Sequence, residues 1–239
     1  MPNPTAAMLV IGDEILSGRT RDANMHFLAG ALTEAGIDLR EVRVIGDTPQ
    51  AIQDAVRALG AAHDHLFTSG GIGPTHDDIT ADNVAAAFGR AIGVREDARA
   101  VLQAHYDRAG IELNEARLRM ARIPEGAELI DNPVSAAPGF RLENVYVMAG
   151  VPQIFEAMVA SVLPTLTGGA PLISRSLTVE RGEGDIAAPL ADLAARHPAL
   201  SIGSYPFQRH GAFGVNVVIR GQDAAEVDAA MGELAGMVG

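Results

Sequence analysis

Thr68-Ser69-Gly70-Gly71-Ile72-Gly73-Pro74-Thr75-His76-Asp77-Asp78-Ile79-Thr80 is the stretch whose reading decides the fold. Leu66 and Phe67 lead into it like the end of a buried parallel strand. Ala81 to Phe88 follows as a helix, with Thr80 as N-cap and Gly89 as stop. Gly70, Gly71 and Gly73 can adopt positive φ and admit a ligand close to the backbone, and the N–H groups of the following helix start favour an anion. A strict phosphate loop ending in Gly-Lys-Ser/Thr is excluded, because the chain contains no lysine. Asp77 and Asp78 would repel a phosphate unless a hard divalent cation lay between them. The stretch therefore predicts a metal-bridged phosphate or pyrophosphate. Its alternative is a Gly-Pro turn before a solvated acidic helix start, which the helix dipole also favours.

Upstream, Ala6 to Ile11 is an apolar strand ending in Gly12-Asp13-Glu14-Ile15-Leu16-Ser17-Gly18, a loop with two carboxylates. Asp22 can cap a helix through Met25, Leu28, Leu32 and Ala35 that Gly36 stops, and Asn24 faces its start as first-turn solvation or a ligand contact. Ile37 to Ile45 alternates as a strand. Asp47 then sits at a strand exit, Thr48 caps, and Pro49 takes the first helical position. The resulting order β-α-β-α-β-α implies right-handed crossovers and a mainly parallel sheet covered on both faces. Asp13, Glu14, Asp47, Asp77 and Asp78 would then share the carboxyl edge of the sheet, where ligands bind in such folds.

Downstream, Arg95 to Ala109 and Leu113 to Ala121 read as helices. Arg117, Arg119 and Arg122 read as a solvated face or a subunit contact, the less common alternative being phosphate. Asn132 to Phe140 is too rich in Pro, Ala and Gly for regular structure, Val145 to Met148 resumes a strand, and Pro152 opens a helix. Gly168-Gly169-Ala170-Pro171 is a linker. The domains expected are 1–169, an α/β unit, and 170–239, a small α+β unit with a strand near 173–179, a helix near 186–196, strands near 201–207 and 213–219, and a helix from Ala224. Arg209 and His210 read as an exposed hairpin connection. His63 and His65, which flank Asp64, read as structural or exposed rather than as a metal cluster, and His76 as either a site or a surface residue.

The chain has 239 residues, of which 48% are hydrophobic, enough for a core. Its net charge of −12 and 4% aromatic content argue against a nucleic-acid surface. No run approaches a membrane span and no basic-then-apolar leader opens it, so a cytoplasmic protein without membrane or nucleic-acid partners is expected. Zero cysteines remove disulfides, thiolate chemistry and Cys-ligated zinc.

Taken in order, Gly12 to Gly18 with Asp22 and Asn24, Thr68 to Thr80, Asn132-Pro133 through Pro138-Gly139-Phe140, and Gly150-Val151-Pro152 resemble the molybdopterin-binding (MoaB/MogA-like) domain of CinA proteins. The resemblance implies a three-layer α/β/α sandwich that self-associates as a dimer or trimer. It also implies one of two functions. The first is divalent-metal-dependent (Mg, Mn or Co) hydrolysis of a nucleotide pyrophosphate such as ADP-ribose; the alternative is a molybdopterin- or nucleotide-binding module without turnover. On the first, Asp78, Asp77 and Asp47 are catalytic, and Asp78, Asp77 and Glu14 hold the metal. Gly12, Asp13, Glu14, Asn24, Ser69, Gly70, Gly71, Gly73, Pro74, Thr75, Asn132, Pro138, Gly139, Gly150 and Pro152 bind substrate. The tail resembles the KH-like domain of CinA proteins but lacks a Gly-x-x-Gly clamp, so RNA binding is not expected. Full-length CinA proteins also carry a C-terminal deamidase domain, and this sequence does not extend into it. Ser135 and Met148-Ala149 stand where that family more often has Gly and Leu-Pro.

Overall fold

The computed structural model describes residues 2–209 and 212–238, and the chain divides into two compact units, Met1–Gly169 and Ala170–Gly239. Of the expected hairpin connection, His210 and the Arg209 side chain lie outside the described residues.

In the first unit β1 (Thr5–Ile11), β2 (Asp38–Ile45), β3 (His65–Ser69) and β8 (Val145–Met148) run parallel, and β6 (Glu128–Ile130) and β7 (Gly139–Leu142) add an antiparallel edge. The order is β2-β1-β3-β8-β7-β6. Two-residue periodicity in β1 builds both layers, because successive side chains point to opposite faces. Ala7, Leu9 and Ile11 pack against α3 (Pro49–Ala62), α4 (Thr80–Ala87) and α5 (Glu96–Ala109). Ala6, Met8 and Val10 pack against α2 (Asn24–Glu34) and α7 (Pro152–Val162). Every β1 residue from Ala6 to Ile11 is buried. Such a strand must be central, and the chain reverses direction around it.

From β1 the path goes outward to β2 and then crosses back over β1 to β3. The loops after β1 and β3 therefore splay apart at the carboxyl edge, which is where open α/β sheets bind ligands. The sequence anticipates this arrangement, with four departures. Thr80 is the first residue of α4 rather than its cap; Ile79 holds the cap position, and Thr80 is buried. Thr48 holds the cap position of α3, with Pro49 next, but its hydroxyl makes no capping bond. The helix expected over 113–121 shrinks to α6 (Glu115–Leu118) and a 3-10 turn (Arg119–Ala121), because β5 (Arg122–Pro124) pairs antiparallel with β4 (Ile92–Val94). The loop expected over 132–140 ends at Pro138, since Gly139 and Phe140 already belong to β7.

The second unit has the order β9 (Ile173–Val179), α8 (Glu183–Arg196), β10 (Ser201–Arg209), β11 (Ala212–Gly221), α9 (Ala224–Val238). Its three strands are antiparallel, in the order β10-β11-β9. Val215, Val217 and Ile219 on one sheet face bury Ile186 and Leu193 of α8 and Val227, Ala230 and Leu234 of α9. No helix among the described residues is long and apolar enough to cross a membrane.

Candidate functional site

Four parallel strands deliver four loops to one edge, and a cleft of about 550 Å³ opens among them. Gly12 and Glu14 come from the segment after β1, Asp47 from that after β2, Gly70 to Pro74 with Asp77 and Asp78 from that after β3, and Ala149 to Pro152 with Ile154 from that after β8. The 132–137 loop closes the remaining side with Asn132, Ser135 and Ala137.

Glycine is required where these loops meet. Gly70 has φ +109°, and a Cβ there would lie 2.3 Å from the Ile11 carbonyl oxygen. Gly71 has φ +69°, and its Cβ would lie 2.2 Å from the Thr80 hydroxyl oxygen. At Gly70 a neighbouring backbone, and at Gly71 the Thr80 side chain, leave no room for a Cβ, and positive φ favours glycine at both. This contact also explains why Thr80 does not cap: its hydroxyl is turned toward Gly71 inside the fold.

The carboxylates fall into distinct local settings. Asp78 folds back on its own turn, accepting from the Thr75 N–H at 2.8 Å and the Thr75 hydroxyl at 2.5 Å. A Cβ on Gly73 would lie 2.6 Å from the same carboxylate, so Gly73 makes room for it. Asp77 is exposed, and the neighbouring Thr75 hydroxyl, followed by its own backbone N–H, holds its carboxyl below the usual range. Asp47 accepts from the Asp13 N–H at 2.8 Å, which ties the β2 loop to the start of α1 (Asp13–Leu16). Glu14 curls beside Gly12, where a Cβ would lie 2.5 Å from its carboxylate oxygens.

Glu14, Asp47, Asp77 and Asp78 line the one cleft, together with Gly12, Gly70, Gly71, Gly73, Pro74, Asn132, Gly150 and Pro152. Among the described residues that line it, none is basic. Nor do the described residues include a group of three or more His, Cys, Asp or Glu side chains placed to hold a metal ion. Glu14, Asp77 and Asp78 thus share a cleft without forming a closed metal cage.

The other anticipated binding residues are occupied differently. Asn24 is buried and donates to Ser69 Oγ and to the Gly150 carbonyl, both at 2.8 Å, so it pins α2 to two of the loops. Both Asn24 and Ser69 line a side recess of about 90 Å³ that shares Glu14, Gly70 and Gly150 with the cleft. Asn132 is spent on its own loop: its amide donates to Ser135 Oγ and the Ala137 carbonyl at 2.8 Å and accepts from the Val134 and Ser135 N–H groups at 3.1 Å. Asp13 contributes its backbone N–H to Asp47, and Thr75 its donors to Asp78. Gly139 is a packing glycine whose Cβ would strike the Val147 carbonyl oxygen at 2.3 Å; it lies in the sheet rather than on the cleft wall. Pro138 lines a smaller recess with Arg119 and Arg122.

Thr20, Met120 and Ile154 also line the cleft and belong to none of the motifs read in the sequence; their position on segments that topology brings together reveals them. The histidines behave as ordinary structure. His65 begins β3, at the strand end opposite the cleft, and is half-buried against Phe67 and Tyr146, which lowers its pKa through desolvation. The His76 side chain is 98% exposed.

Residues 7–168 match the family described as "Probable molybdopterin binding domain", and residues 171–239 match "FAD synthase, middle domain". A protein of Pyrococcus horikoshii is 36% identical over 84% of each chain. A Caenorhabditis elegans protein named "Probable FAD synthase" is 32% identical over 96% of this chain, which spans 49% of that relative's length. The crystal structure of "the protein CinA with unknown function" from Thermoplasma acidophilum superposes with a TM-score of 0.62 at 34% identity, covering 67% of this chain and 98% of that one. The chain belongs to the molybdopterin-binding, MoaB/MogA-like family, and the domain expected to be KH-like is the one that matches the FAD synthase middle domain.

Proposed function

Proceeding from that family membership, we propose that the first unit hydrolyses a nucleotide pyrophosphate such as ADP-ribose with the help of a divalent cation. The observation that carries the reading is a glycine-walled cleft lined by Glu14, Asp47, Asp77 and Asp78 with no basic side chain among its described lining residues. Alone, such a lining repels phosphate. A hard cation reverses the sign of the field, and oxygen donors of this kind suit Mg²⁺ or Mn²⁺, which typically take one or two carboxylates and complete their shell with substrate phosphate oxygens. The open donor set fits that mode better than a preformed cage. When bound, the ion polarises phosphoryl oxygens and lowers the pKa of an attacking water.

The residues then divide the work. Asp78, held by Thr75, and the exposed Asp77 are the cation's protein ligands, together with Glu14 from the loop after β1. Asp47 fixes the start of α1 and faces the same space. Gly70, Gly71 and Gly73 let the phosphates lie against the backbone. The similarity to a protein named as an FAD synthase supports a dinucleotide as the class of compound handled.

The second reading, a pterin-binding module without turnover, is favoured by the family's description. Asp78→Asn tests the first: the variant keeps its fold and loses metal-dependent turnover, whereas full activity would remove Asp78 from the mechanism. Calorimetric titration with molybdopterin and with ADP-ribose, each with and without Mg²⁺, separates the two; pterin binding indifferent to metal, without ADP-ribose binding, supports the module.

A further inference from the structure

Carboxylates line the cleft and none of its described lining residues is basic, so a phosphate ligand that brings one divalent cation still leaves anionic charge to be met. Without lysine, arginine must meet it. Every arginine of the first unit but two bonds a carboxylate or a backbone carbonyl. The exceptions, Arg19 and Arg21, make no hydrogen bond or ion pair among the described residues. Arg19 lines neither the cleft nor its side recess. Arg21 is exposed and stands in the wall of the recess of about 90 Å³, which shares Ile11, Glu14, Thr20, Gly70, Gly150 and Pro152 with the cleft.

The backbone at Arg21 is held while the side chain is free. On one side the Thr20 N–H donates to the Glu14 carbonyl at 3.0 Å; on the other the Asp22 carboxylate accepts from the Met25 N–H at 2.9 Å at the start of α2. Glu14 and Asp22 share the recess but pair with no guanidinium: Asp22 is turned to the helix, and Glu14 curls beside Gly12. In a chain of net charge −12, an arginine left unpaired in a recess that also holds two carboxylates is the exception. We propose that Arg21 is the anion-binding arm of this site, its guanidinium taking phosphate oxygens of a nucleoside-diphosphate ligand at the Glu14 and Gly70 end of the cleft while Asp77 and Asp78 hold the cation. The inference rests on the reading of the cleft as a phosphate site. A guanidinium forks onto two phosphate oxygens, and this exposed side chain rotates without breaking a bond. The recess has room for roughly three waters at about 30 Å³ each, and so for phosphoryl oxygens. Arg21 is none of the residues through which the chain resembles its family; it adds ligand affinity, and the chemical step stays with the carboxylates and the cation.

The test is calorimetric titration of the full chain with inorganic pyrophosphate and with ADP-ribose in Mg²⁺ at low ionic strength, comparing wild type with Arg21→Ala, Arg21→Gln and Arg19→Ala. Arg19→Ala removes the same charge from the same loop outside both cavities. Both Arg21 variants are expected to bind pyrophosphate about 10-fold more weakly, the low end for a bond to a charged group because the arm is exposed, with Arg19→Ala unchanged. Arg21 makes no bond within the fold, so its variants keep the wild-type melting temperature. Wild-type affinity in the Arg21 variants, equal weakening by Arg19→Ala, or no pyrophosphate binding by wild type overturns the inference. Arg21-dependent pyrophosphate binding without release of AMP from ADP-ribose would sustain the inference and refute the hydrolase. AMP release with an unchanged ADP-ribose KM in Arg21→Ala would do the reverse.

Discussion

Gly70→Ala probes the junction on which the cleft is built. Two penalties act there. A non-glycine residue at φ +109° costs about 1–3 kcal/mol. The added Cβ would also stand 2.3 Å from the Ile11 carbonyl oxygen, a backbone atom that can yield only if β1 and the β3 loop separate; overpacking of this kind costs about 1–3 kcal/mol. Gly89→Ala supplies the control, because Gly89 has φ +63° but nothing within 4 Å of its Cβ. Both carry a positive-φ penalty, the larger at +109°, and the clash belongs to Gly70 alone. Native-state hydrogen exchange on the β1 and β3 ladder amides reads the first unit separately from the second. The Gly70 variant should exchange faster than the Gly89 variant by about 10- to 100-fold, corresponding to about 1–3 kcal/mol. Equal exchange in the two would refute the claim that close backbone approach, rather than φ alone, selects glycine at the cleft floor.

Asn132→Ala should destabilise the first unit by about 2–3 kcal/mol and open the 132–137 loop to limited proteolysis, because one buried amide makes four bonds there. Acid should loosen the second unit. The Arg196 guanidinium, and then His197, hold the Glu233 carboxyl below its ordinary value of 4.5. A depressed carboxylate contributes stability that is fully present above pH 4.5 and is lost as pH falls through the lowered value. Melting of wild type between pH 6 and 3 should therefore show a loss across the acid end of that window that Glu233→Gln flattens; parallel curves would dissociate the α8–α9 contact from acid sensitivity.

Much of the architecture was legible because long elements carry long signals. The buried run of β1, the helix that Pro49 opens after Asp47 and the glycine loop after Phe67 each combine periodicity with a breaker. Three-residue strands carry neither, which is why β4, β5 and β6 are invisible in the sequence and why the helix over 113–121 was overextended. Gly139 reads as loop because Pro133, Ala136, Ala137 and Pro138 precede it, yet it is glycine for the sake of the Val147 carbonyl. Cleft residues on the β1, β2 and β3 loops could be anticipated from the parallel order alone. The roles of Asn24 and Asn132 could not, since an amide that binds a ligand and one that binds its own loop have the same sequence signature.

The most direct measurement is chromatography of ADP-ribose incubated with the purified protein and Mg²⁺, Mn²⁺ or Co²⁺, run beside FAD and NAD. The account predicts AMP release that requires the metal, stops on chelation and disappears in Asp78→Asn. Absence of AMP with every substrate and metal, from protein that is folded and binds molybdopterin, would contradict it and leave a binding module in its place.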